Sequence, residues 1–206
     1  MAGILTDNEK ASISEAIKNA ESQSTGELVT VITQASDDYW FIPSLWAALI
    51  ALVVPAIIIL IGTWWDSTTI YSIQIGVFLS LLIVFRIPAI KYVLVPKSIK
   101  HRRASRVARE QFFLQGLQNT QGRTGILLFV SIAERYVEVI ADKGINDVVP
   151  TGTWDKIVND FINQVKAGRP GDGFIGAING CAEIMREHFP ASDINPDELP
   201  DHLVEL

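Results

Sequence analysis

The sequence has a single cysteine, Cys181, among 206 residues, so no internal disulfide can form and a thiol-stapled secreted fold is excluded. Its opening, MAGILTDNEK, lacks a basic segment followed by an apolar core and a small-residue cleavage site, and reads as the start of a soluble helix rather than a signal peptide. Charge is missing from two long stretches: none occurs from Tyr39 to Trp65, and after the lone Asp66 none occurs until Arg86. Familiar phosphate chemistry is missing too. Cys181 and Arg186 bracket four residues, too few for a cysteine-phosphatase loop. Neither the aspartyl pattern D-x-D nor G-x-x-x-x-G-K-[ST] occurs, and His101, His188 and His202 are scattered without zinc-ligand spacing.

What is present is apolar and concentrated. Hydrophobic residues make up 49% of the chain, and the mean hydropathy is positive at +0.27. A run of about 20 apolar residues matches the ~30 Å hydrocarbon core of a bilayer at ~1.5 Å per helical residue. The sequence therefore predicts a transmembrane hairpin over 40–92, with spans at about Ile42–Gly62 and Ile70–Ile90. Trp40, Phe41 and Trp46 at one end, Trp64 and Trp65 at the other, and Tyr71 and Tyr92 around the second span suit the headgroup region. Pro55 and Pro88 are expected to kink their helices. Gln74 is the strongly polar side chain well inside the second span. With no charge at mid-membrane, the hairpin reads as an anchor or a contact between copies in a homo-oligomer, not as a transport pathway.

Orientation follows from the cations. The turn TWWDSTT has no Lys or Arg, whereas Arg86, Lys91, Lys97, Lys100, Arg102, Arg103, Arg106 and Arg109 follow the second span with no acid among them. The positive-inside rule then puts both termini and the soluble domain in the cytoplasm. These eight of the 17 basic residues leave nine against 23 acids elsewhere. Lys97, Lys100, Arg102, Arg103 and Arg106 are read as a collar for anionic lipid headgroups, each nearby charge worth about 1 kcal/mol. A nucleic-acid partner is not expected, because no aromatic platform accompanies the collar and the remaining domain is acidic.

Outside the hairpin, residues 1–38 and 97–206 are expected to form one discontinuous domain. Thr6 and Glu9 have capping-box spacing ahead of a helix over Asp7–Ser22. Glu27–Thr33, Gly125–Ser131 and Tyr136–Ala141 read as strands, the last two forming a hairpin. Helices are predicted over Ser98–Gln118, with Val107, Phe112, Leu114 and Leu117 inward, over Thr153–Lys166, and over Asp172–His188, stopped by Pro190. Residues 190–206 read as an acidic, loosely held tail. The fold class is α/β, a small mixed sheet covered by helices and interrupted by the hairpin.

TGELVTVIT, RTGILLFVSIAERYVEVIADKGI, and a Trp-led helix leading into AGRPGDGFIGAI together resemble the TPM-domain family. HFP and ELPD near the end are similar to its bacterial membrane subgroup. The resemblance implies that the chain is either an accessory or assembly factor for a membrane protein or complex, or a metal-dependent acid phosphatase. It also implies that calcium or another divalent cation is a candidate cofactor. The oxygens for such an ion would come from Asp142, Asn146 and Asp147 after the third strand and from Asp172 at the start of the last helix. Gly173, Gly176 and Gly180 recur at helical spacing, as expected for close packing on the sheet.

The predicted topology has a direct check. A cysteine placed at Ser67 should react with an impermeant thiol reagent added outside intact cells; labelling that requires lysis would reverse the orientation.

Overall fold

The computed structural model describes residues 4–62, 64–191 and 202–206. In chain order the elements are α1 (Asp7–Glu21), β1 (Glu27–Thr33), α2 (Phe41–Leu60), α3 (Ser67–Val84), α4 (Pro88–Leu94), α5 (Lys97–Leu114), a 3-10 turn (Leu117–Asn119), β2 (Gly125–Ser131), β3 (Tyr136–Ala141), α6 (Lys143–Asn146), α7 (Thr153–Lys166), α8 (Pro170–His188) and β4 (Val204–Glu205). They divide into two compact units, Met1–Ser36 with Ala104–Leu206, and Asp37–Arg103. The second boundary falls inside α5.

The first unit is built on a mixed sheet of order β3-β2-β1-β4. β1 pairs in parallel with β2 over seven residues, from Glu27 opposite Gly125 to Thr33 opposite Ser131, and β3 closes an antiparallel hairpin on β2. ELVTVIT and GILLFVS are continuous rather than alternating apolar runs, as a strand covered on both faces requires. Every residue of both strands is buried. Leu28, Ile32, Ile126, Leu128 and Val130 meet α1 and α8 through Ile13, Ile17, Phe174, Ile178 and Met185. Val29, Val31, Leu127 and Phe129 face the other way, onto Ala104, Ala108 and Phe112 of α5. Small Ala104 and Ala108 bring that helix close, while Leu114, expected inward, is 75% exposed because the helix stops there and Gly116 turns left-handed at φ 79°.

Helix starts follow local chemistry. The Thr6 hydroxyl accepts the Glu9 N–H at 3.3 Å, and the Glu9 carboxylate accepts the Thr6 N–H at 2.8 Å, completing the capping box. α8 begins earlier than expected. Pro170 takes the first helical turn, where its missing N–H costs nothing, so Asp172 lies within that turn and is not the cap. The glycines on α8 also face differently. A β-carbon at Gly173 would meet Phe161, and one at Gly180 would meet Ile157, so the small residues admit α7 rather than the sheet.

The predicted tail falls largely on residues 192–201, outside the described residues. Its last residues, however, are not loose. Val204 and Glu205 pair in parallel with Val31 and Ile32, the Leu206 N–H donates to the Ile32 carbonyl, and Lys10 binds Glu205 at 2.6 Å.

In the second unit, α2 and α3 pack against one another and are long and apolar enough to cross a membrane, with mean hydropathies of 2.5 and 1.8. Ala47 and Ala51, one turn apart, are among the few buried residues of α2, and α3 buries none. α3 ends at Val84, short of the predicted limit. Ile87, preceding Pro88, is extended at ψ 123° as its neighbour's ring demands, and Pro88 starts the separate helix α4. Tyr39, Ile42 and Val95 form a small core here, with Tyr39 and Tyr92 edge-on at 6.0 Å.

One buried hydroxyl is a local fault. Thr30 lies on β1 in the same parity as Leu28 and Ile32, wholly buried, and its Oγ1 has no hydrogen-bond partner among the described residues. Thr30→Val, close in shape and free of the unpaired hydroxyl, should raise stability by about 1 kcal/mol in denaturant melts.

Candidate functional site

The four acidic-loop residues have distinct positions. Asp142 caps the short helix α6, a helix that sequence reasoning took for loop. Its carboxylate is buried and grips Arg123 with both oxygens, Nε to Oδ2 at 2.5 Å and Nη2 to Oδ1 at 2.8 Å, while Oδ1 also accepts the Lys143 N–H at 2.7 Å. The hydrogen bond from Arg123 is the main reason this carboxyl is held below the usual carboxylate range; burial opposes it. Asn146 is occupied at both ends of its amide: Nδ2 donates to the Ala141 carbonyl at 2.5 Å and Oδ1 accepts from Trp154 Nε1 at 3.0 Å. Asp147 is exposed and pairs with Lys143. Asp172 is exposed near Arg169 at 3.8 Å and lines a groove of about 460 Å³ between α7 and α8 with Asp160, Asn163 and Gln164.

The structure therefore brings Asp142, Asn146 and Asp147 together around α6 and does not bring Asp172 to them. A hard cation needs several free oxygens converging on one point. Here the carboxylate of Asp142 is committed to Arg123 and the amide oxygen of Asn146 to Trp154, so these residues do not fit a calcium cradle. No group of three or more His, Cys, Asp or Glu side chains suited to a metal occurs among the described residues. Instead, the D-K-G-I segment is a clamp. Gly144 donates its N–H to the Arg123 carbonyl at 3.0 Å, and a β-carbon there would collide with the carbonyl oxygens of Gly122 and Arg123.

A second polar cluster lies at the carboxyl ends of β1 and β2, and sequence reasoning missed it. Glu134, in the turn between β2 and β3, is only 2% exposed. Its Oε1 accepts the Ser36 N–H at 3.1 Å, its Oε2 accepts the Ser131 hydroxyl, and the Ser36 hydroxyl donates to Ser131 at 2.8 Å. The only sequence signal was an acid in an apolar hairpin turn. Cys181 is wholly buried, which pushes its thiol up to about 12, far from a nucleophilic thiolate.

The predicted collar lies on α5. Lys97, Arg102 and Arg106 are exposed; Arg106 pairs with Glu110 at 2.8 Å, Arg103 with Asp37 at 3.3 Å, and Lys100 Nζ donates to the Tyr92 carbonyl at 3.0 Å. Lys97, Arg102 and the neighbouring Arg109 have no carboxylate partner among the described residues. His101 is held below its ordinary value, chiefly by burial and then by Lys97 and Lys100.

Comparison with known proteins agrees with this architecture. The family model described as the TPM domain matches residues 89–184, from α4 through β2, β3 and α7 to most of α8. β1 lies outside the matched segment, on the far side of α2 and α3. The chain has the fold of the BA42 protein from the psychrophilic bacterium Bizionia argentinensis, solved by NMR, with a TM-score of 0.62 at 19% identity over 100% of this chain and 98% of that one. No curated protein matches the sequence significantly.

The clamp makes a signed prediction. Asp142 is ionised more readily when folded than unfolded, so its contribution is present above its unfolded pKa and is lost as pH falls through the folded one. Asp142→Asn should cost roughly 2 kcal/mol at pH 7 in urea melts, and the gap to the parent chain should close below about pH 4.

Proposed function

Because residues 89–184 carry a TPM domain, we propose that the chain is a membrane-anchored accessory or assembly factor for a membrane protein or complex. In this reading α2 and α3 span a bacterial cytoplasmic membrane and the α/β unit lies in the cytoplasm with both termini. One observation carries it: α3 is uncharged throughout, predominantly apolar from Ile70 to Val84, and buries no residue, leaving a surface that a bilayer would cover. The acid-free cationic run after α3 supports the orientation.

The site chemistry supports assistance more than turnover. The buried carboxylates of Asp142 and Glu134 hold loops to the sheet, and the one cysteine is buried and protonated. The alternative, a metal-dependent phosphatase using the acidic loops, would draw on Asp172, which with Asp160 is an exposed acid bordering the α7–α8 groove. Native membranes solubilised in mild detergent should yield the full chain with a defined membrane protein in reproducible ratio; a chain that emerges alone overturns the accessory reading. Phosphomonoester turnover that needs calcium or magnesium and disappears in Asp172→Asn, with the Arg123–Asp142 clamp intact, would establish the enzyme instead.

A further inference from the structure

α5 presents a largely exposed stripe, ending in Phe113, whose ring meets Phe112 edge-on at 5.9 Å yet remains mostly open. Arg102, Arg106, Arg109 and Phe113 recur at intervals of four, three and four residues, which places them within about 60° of one another around the helix. Arg102 and Arg109 have no carboxylate partner among the described residues, and Arg106 meets only the exposed Glu110 on its own helix. Phe113 is 62% exposed and Leu114 75% exposed beside it, although both are large and apolar. The buried side of the same helix is made by Ala104, Ala108, Gln111 and Phe112. Cations in file, ending in an exposed aromatic, are the composition of a helix that lies in a headgroup layer, with phosphates on the arginines and the ring at the acyl boundary.

We propose that α5 is a second, peripheral membrane contact: its Arg102–Arg106–Arg109 stripe binds the phosphates of anionic lipids, and Phe113 with Leu114 enters the interface beyond them. Charge complementarity commits the stripe to an anionic leaflet, since the rest of the soluble sequence is acidic and would be repelled by it. The proposal rests on the membrane-spanning reading of α2 and α3, to which α5 is joined in sequence through α4. It extends the predicted collar by Arg109 and by two apolar residues that sequence reasoning had not assigned to any contact with lipid.

Phe113→Cys supplies the test, because Cys181 is buried and does not compete for a thiol-reactive label. The full chain, labelled there with an environment-sensitive fluorophore, is reconstituted into vesicles of phosphatidylcholine alone or with added phosphatidylglycerol. Emission should shift to the blue in the anionic vesicles only. It should return when salt shortens the screening length from ~10 Å to about 4 Å. Replacing all three arginines by Gln should remove the shift, each weakening engagement about fivefold. Emission independent of lipid composition, whether water-like or shielded by a protein contact, overturns the proposal alone. Release of the chain by alkaline carbonate overturns the membrane-spanning reading and this one with it.

Discussion

Seven residues of β1 lie against seven of β2 in parallel, and this pairing joins parts of the chain separated by the whole of α2, α3, α4 and α5. Both strands are buried throughout, so every backbone N–H and C=O between them must be paired with the partner strand or left without water. Parallel pairing needs a crossover, and here the crossover includes an entire second unit before α5 covers the sheet. Closing so long a connection costs only slowly growing entropy with length, which is why the fold tolerates it. What it does not tolerate is a slip. A one-residue shift would turn Leu28 and Ile32 away from α1 and α8 and place Val29 and Val31 there instead.

Around this ladder the polar residues have mostly structural duties. Arg123 and Asp142 tie the approach to β2 to the exit of β3, and Glu134 ties the exit of β1 to the exit of β2. Gly171 belongs to the same economy of close approach: a β-carbon there would meet the Glu9 carboxylate that completes the cap of α1. The short segments that most resemble a family pattern, the E-R turn, D-K-G-I and P-G-D-G, are thus joints between elements. Glu134, Asp142 and Gly144 in them are engaged by the fold, whereas Asp172 faces the α7–α8 groove and the cations of α5 face outward.

Much of this was legible in the sequence, for physical reasons. The three long strands fall where short apolar runs containing β-branched residues are bounded by glycine or polar turns, and Thr153–Lys166 follows one apolar stripe. The capping box is local, and so is readable from Thr6 and Glu9 alone. Tertiary facts were not readable. Nothing near Asp142 in sequence names Arg123 as its partner, and an acid in a D-K-G turn looks like a loop ligand until its ion pair is seen. β4 is two residues long, too short to show a period, and it is defined only by the edge of β1 that it meets. The glycines of α8 displayed helical spacing but not the identity of the neighbour they admit.

Ser36 is the last residue of the α/β unit before the chain passes into the second one, and it is also where the buried Glu134 holds on. Any pull along the chain from Asp37 therefore meets a knot of three side chains first. The load divides between β1, β2 and the turn to β3, rather than falling on the end of one strand. Under the proposed membrane-spanning reading of α2 and α3, a domain tethered to helices in a moving bilayer needs strain relief at the cable's entry. Glu134, with Ser36 and Ser131, is placed as that gland.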